Sequence, residues 1–220
     1  MINYIILSIS ALVLILIIGF ISPSKDSTVF DKLIVGSVFI FSILIGISLA
    51  IHPGWYKKQK KNSKNNSKNS STIQFKGHHP SCDKYSNHII VTKNKTYCAG
   101  CLGLIIGSIV TIILITFYLI FDFSKIDFHL FLIFGILLIL VLFIIIIFHK
   151  RNPFVRVVSN TGFMISFFII IIGILEITGY FIYGLLTGLF SFLLIHTRIH
   201  ISKWSHKNIC RNCKKKCKMY

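Results

Sequence analysis

Charge is what this chain has least of. Asp, Glu, Lys and Arg make up 14% of its 220 residues, and only six residues are acidic. A soluble domain of this size would be far more charged. No arrangement of nucleophile, base and acid is visible, and no motif names a substrate. The first apolar run has no basic segment before it and no Ala-x-Ala-like cleavage site, so it reads as a retained span rather than a signal peptide. Residues 57–71 contain only Lys, Gln, Asn and Ser. They have nothing to bury and are expected to be disordered. Without interleaved aromatic rings, this basic stretch argues against nucleic acid as a partner.

Apolar residues are abundant instead. They form 54% of the chain, and the mean hydropathy is +0.77. They gather into six runs, at about 3–22, 30–51, 100–121, 128–148, 154–175 and 178–199. Each is long enough to cross about 30 Å of hydrocarbon at about 1.5 Å per residue. Lipid offers backbone groups no partners, so each run must be a helix. The expected fold is an all-α membrane protein of six transmembrane helices with a small cytoplasmic Cys/His metal-binding hairpin. The turn at residues 176–179 is so short that the last two runs could also form one broken, partly re-entrant element.

The basic residues set the orientation. All but three of the 24 Lys and Arg residues lie on one side of this arrangement; Lys25, Lys32 and Lys125 are the exceptions. That side should be cytoplasmic, with both termini inside an inner membrane. Lysines there attract anionic headgroups by about 1 kcal/mol each. The opposite side collects Asp26, Asp31, Asp122, Asp127 and Glu176. The expected organisation is two N-terminal spans (1–51), a Lys/Asn/Ser-rich linker (52–76), the Cys/His hairpin (77–101), a four-helix domain (102–200) and a basic cysteine-containing tail (201–220).

None of the six cysteines lies deep in a span, and all fall on the basic side. A reducing compartment argues against structural disulfides, so clustered thiols read as metal ligands or redox groups. Residues 87–97 resemble a short β-hairpin that delivers the chain to Cys98-Ala99-Gly100-Cys101. Two thiolates at this spacing can grip one tetrahedral ion. Cys82 would add a third, and His78 or His79 the fourth ligand of a zinc site. The helix N-terminus after Cys101 favours thiolates, which also suits a redox dithiol. His206, Cys210, Cys213 and Cys217 hold the ligands for a second Cys3His zinc site, or could lend thiolates to the first. An iron–sulfur cluster is the alternative, although the spacing matches no common ferredoxin run. His196 and His200 share a helix face but lack a third ligand.

Inside the spans, Gly103/Gly107 and Gly184/Gly188 form small-residue steps. They suit close helix packing within the chain or, alternatively, homo-oligomerisation. Arg156 is expected to snorkel to the inner surface, and Asn160 and Thr161 to bond to neighbouring helices. Glu176 is placed at the outer surface. At mid-membrane it would suggest a cation path and a transporter.

These residues carry a resemblance. His79-x2-Cys82, the hairpin, and Cys98-x2-Cys101-x-Gly103-x3-Gly107 at a helix start look like a family of small prokaryotic predicted membrane proteins of unknown function. Their signature is a Cys-His-Gln element followed by Cys-x-Arg-Cys-x-Gly-x3-Gly. The stretch at 152–162, with Arg156, Asn160, Thr161 and Gly162, is similar to that family's second polar patch. The resemblance spans about residues 77–200. Gly100 stands where the family commonly has arginine, and His78-His79-Pro80 replaces the Cys-His-Gln element. The resemblance implies an architecture and no reaction. The expected activity is therefore a docking or scaffold role for an unknown protein partner, with a thiol oxidoreductase and an ion transporter as alternatives.

Overall fold

A computed structural model describes residues 2–51, 75–76, 89–92, 95–121, 126–148 and 152–211. Six helices follow in chain order: α1 (Ile2–Ile21), α2 (Val29–Ile51), α3 (Ala99–Ile120), α4 (Phe128–Phe148), α5 (Pro153–Thr178) and α6 (Phe181–Arg211). All six are long and apolar enough to cross a membrane, which makes the chain a multi-pass membrane protein. Strands β1 (Phe75–Lys76), β2 (Ile89–Thr92) and β3 (Lys95–Cys98) precede α3.

The helix ends have local chemical causes. Thr28 and Asp31 cap α2 reciprocally: Asp31 N donates to Thr28 Oγ1 and Thr28 N donates to Asp31 Oδ2, each at 3.2 Å. Asn152 caps α5 by accepting from Phe154 N at 2.9 Å, with Pro153 in the first turn. Gly179 ends α5 with φ at 69° and donates its N–H to Leu175 O at 2.8 Å. That left-handed cap separates α5 from α6, each of which is long and apolar enough to span a membrane. The α6 helix runs well past residue 199, because no Gly or Pro interrupts residues 189–211.

The α5 helix is the axis of the bundle. Its apolar window is 72% buried, against 33% or less for the other five. A helix that is apolar all round belongs inside other helices. Phe163, Phe167, Ile170 and Ile174 fill the core with Ile115 of α3, Leu132 and Ile139 of α4, and Ile15 of α1. Several buried hydroxyls are satisfied within their own helices: Ser166, Thr178 and Thr187 each donate to the carbonyl four residues earlier at 2.8 Å, whereas Thr111 Oγ1 is buried without a partner among the described residues.

The α3 and α5 helices meet at glycine. A Cβ on Gly103 would lie 2.4 Å from Val157 O, and one on Gly107 would lie 2.8 Å from Thr161 Cα. This small-residue step is therefore an intramolecular contact. Gly184 packs against Val35, whereas Gly188 has nothing within 4 Å of a Cβ.

The strands form a sheet of order β1-β3-β2. The expected hairpin is present: β2 pairs antiparallel with β3, from Thr92↔Lys95 to Ile89↔Cys98. The parallel β1 strand was not expected. It pairs Phe75 with Thr96 and Lys76 with Tyr97.

Candidate functional site: a dithiol between two arginines

Cys98 ends β3 and is the N-cap of α3, with φ −71° and ψ 121° and no side-chain cap bond. Cys101 follows in the first turn of that helix. Neither forms a disulfide; Cys98 is buried and Cys101 half-buried. Their side chains share a hydrogen bond. The extended strand end and first helical turn thus fold both sulfurs toward one point.

The neighbouring helices hold that point in place. Asn160 of α5 donates Nδ2 to Gly100 O at 2.9 Å, and Thr161 donates Oγ1 to Gly103 O at 3.0 Å. Both polar residues bond across helices as their sequence context suggests, and both use α3 backbone. Arg156, in the first turn of α5, lies at the dithiol end of the bundle; its Nε is buried, and its charge lies within range of Cys98. Sequence reasoning counted Arg198 only among the basic residues that set the orientation, and not as part of a site. It reaches in from α6, with Nη2 3.6 Å from where a Cβ on Gly100 would lie, and it is within electrostatic range of both thiols. The only signal in the sequence was a cation one turn inside a span, where a charge requires a partner.

The remaining candidate ligands are distributed differently. His78, His79, Cys82, Cys213 and Cys217 lie outside the described residues. His206 and Cys210 lie on α6, and their side chains are also outside what is described. Cys210 is about 18 Å beyond Arg198 along this unbroken helix, at about 1.5 Å per residue. His196 and His200 pack around Tyr4 of α1; the His200 ring stacks on it at 4.1 Å and the His196 ring tilts against it at 5.4 Å. Beside them Ser8 donates to Thr197 Oγ1 at 2.6 Å. This is α1–α6 packing. Among the described residues, no three His, Cys, Asp or Glu side chains group closely enough to hold a metal.

The opposite end of the bundle carries the acids found among the described residues. Glu176, near the end of α5, is the centre of a network, its side chain 11% exposed. It pairs with Lys32 Nζ at 2.8 Å and accepts from Ser27 Oγ at 2.7 Å and from the Tyr118 hydroxyl. Lys25 N donates to Thr178 O at 3.3 Å, and Phe181 N donates to Asp31 Oδ1 at 3.3 Å. These bonds tie the α1–α2 turn to the α5–α6 turn.

In comparisons with known proteins, no family model, no curated protein and no solved structure matches this chain.

Proposed function

We propose that Cys98 and Cys101 are half of a structural zinc site, completed by Cys82 and by His78 or His79, which orders a small cap on the cytoplasmic face of an inner-membrane protein. The observation that carries this reading is the sheet register. In the central strand β3, Cys98 is the last residue. The chain leaves β1 at Lys76, one step before the level of Cys98, and re-enters β2 at Ile89, directly opposite Cys98. Both ends of segment 77–88 are therefore anchored beside the dithiol, and neighbouring strands are only about 4.8 Å apart. That segment carries His78, His79 and Cys82. A chain pinned at both ends beside two thiols can supply a thiolate and an imidazole without a long excursion.

The charges agree with a thiolate site. Arg156 and Arg198 would offset part of the negative charge of several thiolates. In the family this chain resembles, arginine is common at the position of Gly100; here Arg198 would bring that charge from α6. Structural zinc in small domains contributes about 10–16 kcal/mol of apparent binding energy, enough to order a cap of this size. The tail residues His206, Cys210, Cys213 and Cys217 would form a second zinc site, because α6 carries Cys210 well away from Cys101. The ordered cap would serve as a docking surface for a protein partner. The asymmetry of Lys and Arg favours the dithiol end as the cytoplasmic one, with both termini inside.

A second reading, a thiol oxidoreductase, is favoured by the side-chain hydrogen bond between the two cysteines. An iron–sulfur cluster would need the same thiolates. The transport reading loses its support, since Glu176 is committed to Lys32, Ser27 and Tyr118. Metal analysis of detergent-purified protein with a thiol count tests the first reading. Zinc that is lost in C98S, C101S and C82S supports it. Unchanged metal content in all three variants, or a metal-free protein with reversibly cycling thiols, would overturn it.

A further inference from the structure

The dithiol end of the bundle brings two guanidiniums, Arg156 and Arg198, to the start of α3. Arg198 is half-buried, and its Nε is buried with no hydrogen-bond partner. Its guanidinium points at the first turn of α3, where Nη2 approaches Gly100. Arg156 of α5 is close enough for the two like charges to act on each other. The first-turn N–H groups of α3 get no cap from Cys98. By topology, every acid among the described residues (Asp26, Asp31, Asp127 and Glu176) belongs to the far end of the bundle.

Two neighbouring guanidiniums and a helix N-terminus make one kind of ligand favourable. We propose that Arg198, Arg156 and the first turn of α3 form a binding site for a phosphate oxyanion. The planar guanidinium fork matches phosphate oxygens, and the N-terminal N–H groups of a helix point at such an anion. Asn160, already held against Gly100 O, fixes the α3–α5 distance that frames the site.

The depth of the site suggests where the phosphate comes from. Arg156 lies about one turn inside the start of the span Pro153–Thr178, and Arg198 about one turn before the end of Phe181–Ser202. This is the level of lipid headgroups, and basic pockets between helices on the cytoplasmic side take such groups. An anionic phospholipid and a free phosphate offer the same oxyanion, and the test separates them.

The full-length protein is melted in detergent with phosphatidylglycerol, with phosphatidylcholine or with millimolar inorganic phosphate. A ligand that binds only the folded state raises the melting temperature. Phosphatidylglycerol should raise it several degrees above phosphatidylcholine. R198Q and R156Q should abolish the difference, and R198K should keep part of it, because lysine supplies the charge without the fork. Substituting Lys214, Lys215 and Lys216 with glutamine should leave it intact. A phosphate-only, Arg198-dependent shift assigns the oxyanion to solution; a lipid-only shift assigns it to the membrane. An equal lipid shift in wild type and R198Q, with no Arg198-dependent phosphate shift, overturns the site. Should R198Q fail to fold, R198K and the count of phosphatidylglycerol retained by wild type in native mass spectrometry decide instead; no retained lipid and no R198K effect would overturn it. Zinc is measured on the same samples, so a lost anion response at unchanged zinc content separates this site from the metal.

Discussion

Replacing Gly103 with alanine drives a methyl group into the backbone of α5. The new Cβ would sit 2.4 Å from Val157 O, 2.8 Å from Val157 Cα and 2.9 Å from Asn160 Cβ. Two of those atoms belong to a helix backbone, so no side chain can swing aside. Ordinary carbon contacts lie at about 3.5–4.0 Å, which requires α3 and α5 to part by about 1 Å. Overpacking of this kind costs about 1–3 kcal/mol. The separation also lengthens the bonds from Asn160 to Gly100 O and from Thr161 to Gly103 O, now 2.9 and 3.0 Å. Interhelical hydrogen bonds in membranes are worth about 0.6 kcal/mol each, so the total loss is about 2–4 kcal/mol. Unfolding of G103A in mixed micelles, followed by circular dichroism against added denaturing detergent, measures it. The same substitution at Gly188, where a Cβ meets nothing within 4 Å, is the control and should stay within about 0.5 kcal/mol of wild type. If G103A were as stable as G188A, the α3–α5 contact described above would be wrong.

Other perturbations test other joints. Glu176→Gln leaves Lys32 without its anion and should cost about 2 kcal/mol, because hydrogen bonds to charged groups are worth about 1.5–3 kcal/mol; the double variant with Lys32→Met should recover part of this in the same unfolding assay. Gly179→Ala places a Cβ 1.8 Å from Lys25 O at a φ of 69°; it should detach the α1–α2 turn and raise its protease sensitivity, while α3–α5 packing stays intact. Asn160→Leu should cost about 0.6 kcal/mol and lower zinc retention against a chelator, since it frees Gly100 between the two thiols; full retention would show that α5 does not position the dithiol.

The architecture was legible because its cause is one-dimensional. Runs of about twenty apolar residues must be helices in lipid, wherever they later pack. The six spans, the β2–β3 hairpin and the bonding of Asn160 and Thr161 could therefore be read from neighbouring residues alone. Helix ends were less legible where the apolar run and the helix differ. The α6 helix continues to Arg211 because nothing breaks it, although the lipid-compatible stretch stops earlier.

Composition also determined which end is basic, and it paired Cys98 with Cys101. Only the tertiary structure decided what surrounds them. Arg198 lies 97 positions after Cys101 and reaches the dithiol through the packing of α6 on α5, which no spacing rule encodes. Glu176 and Lys32 meet for the same reason: they lie on different helices, far apart in the chain, until α2, α3 and α5 converge. The parallel β1 strand is just two residues long, too short for any periodicity, yet it anchors the segment bearing His78, His79 and Cys82 beside Cys98. Local pattern specifies which residues must leave water, whereas the pairing of distant charges and strands depends on the shape that their burial produces.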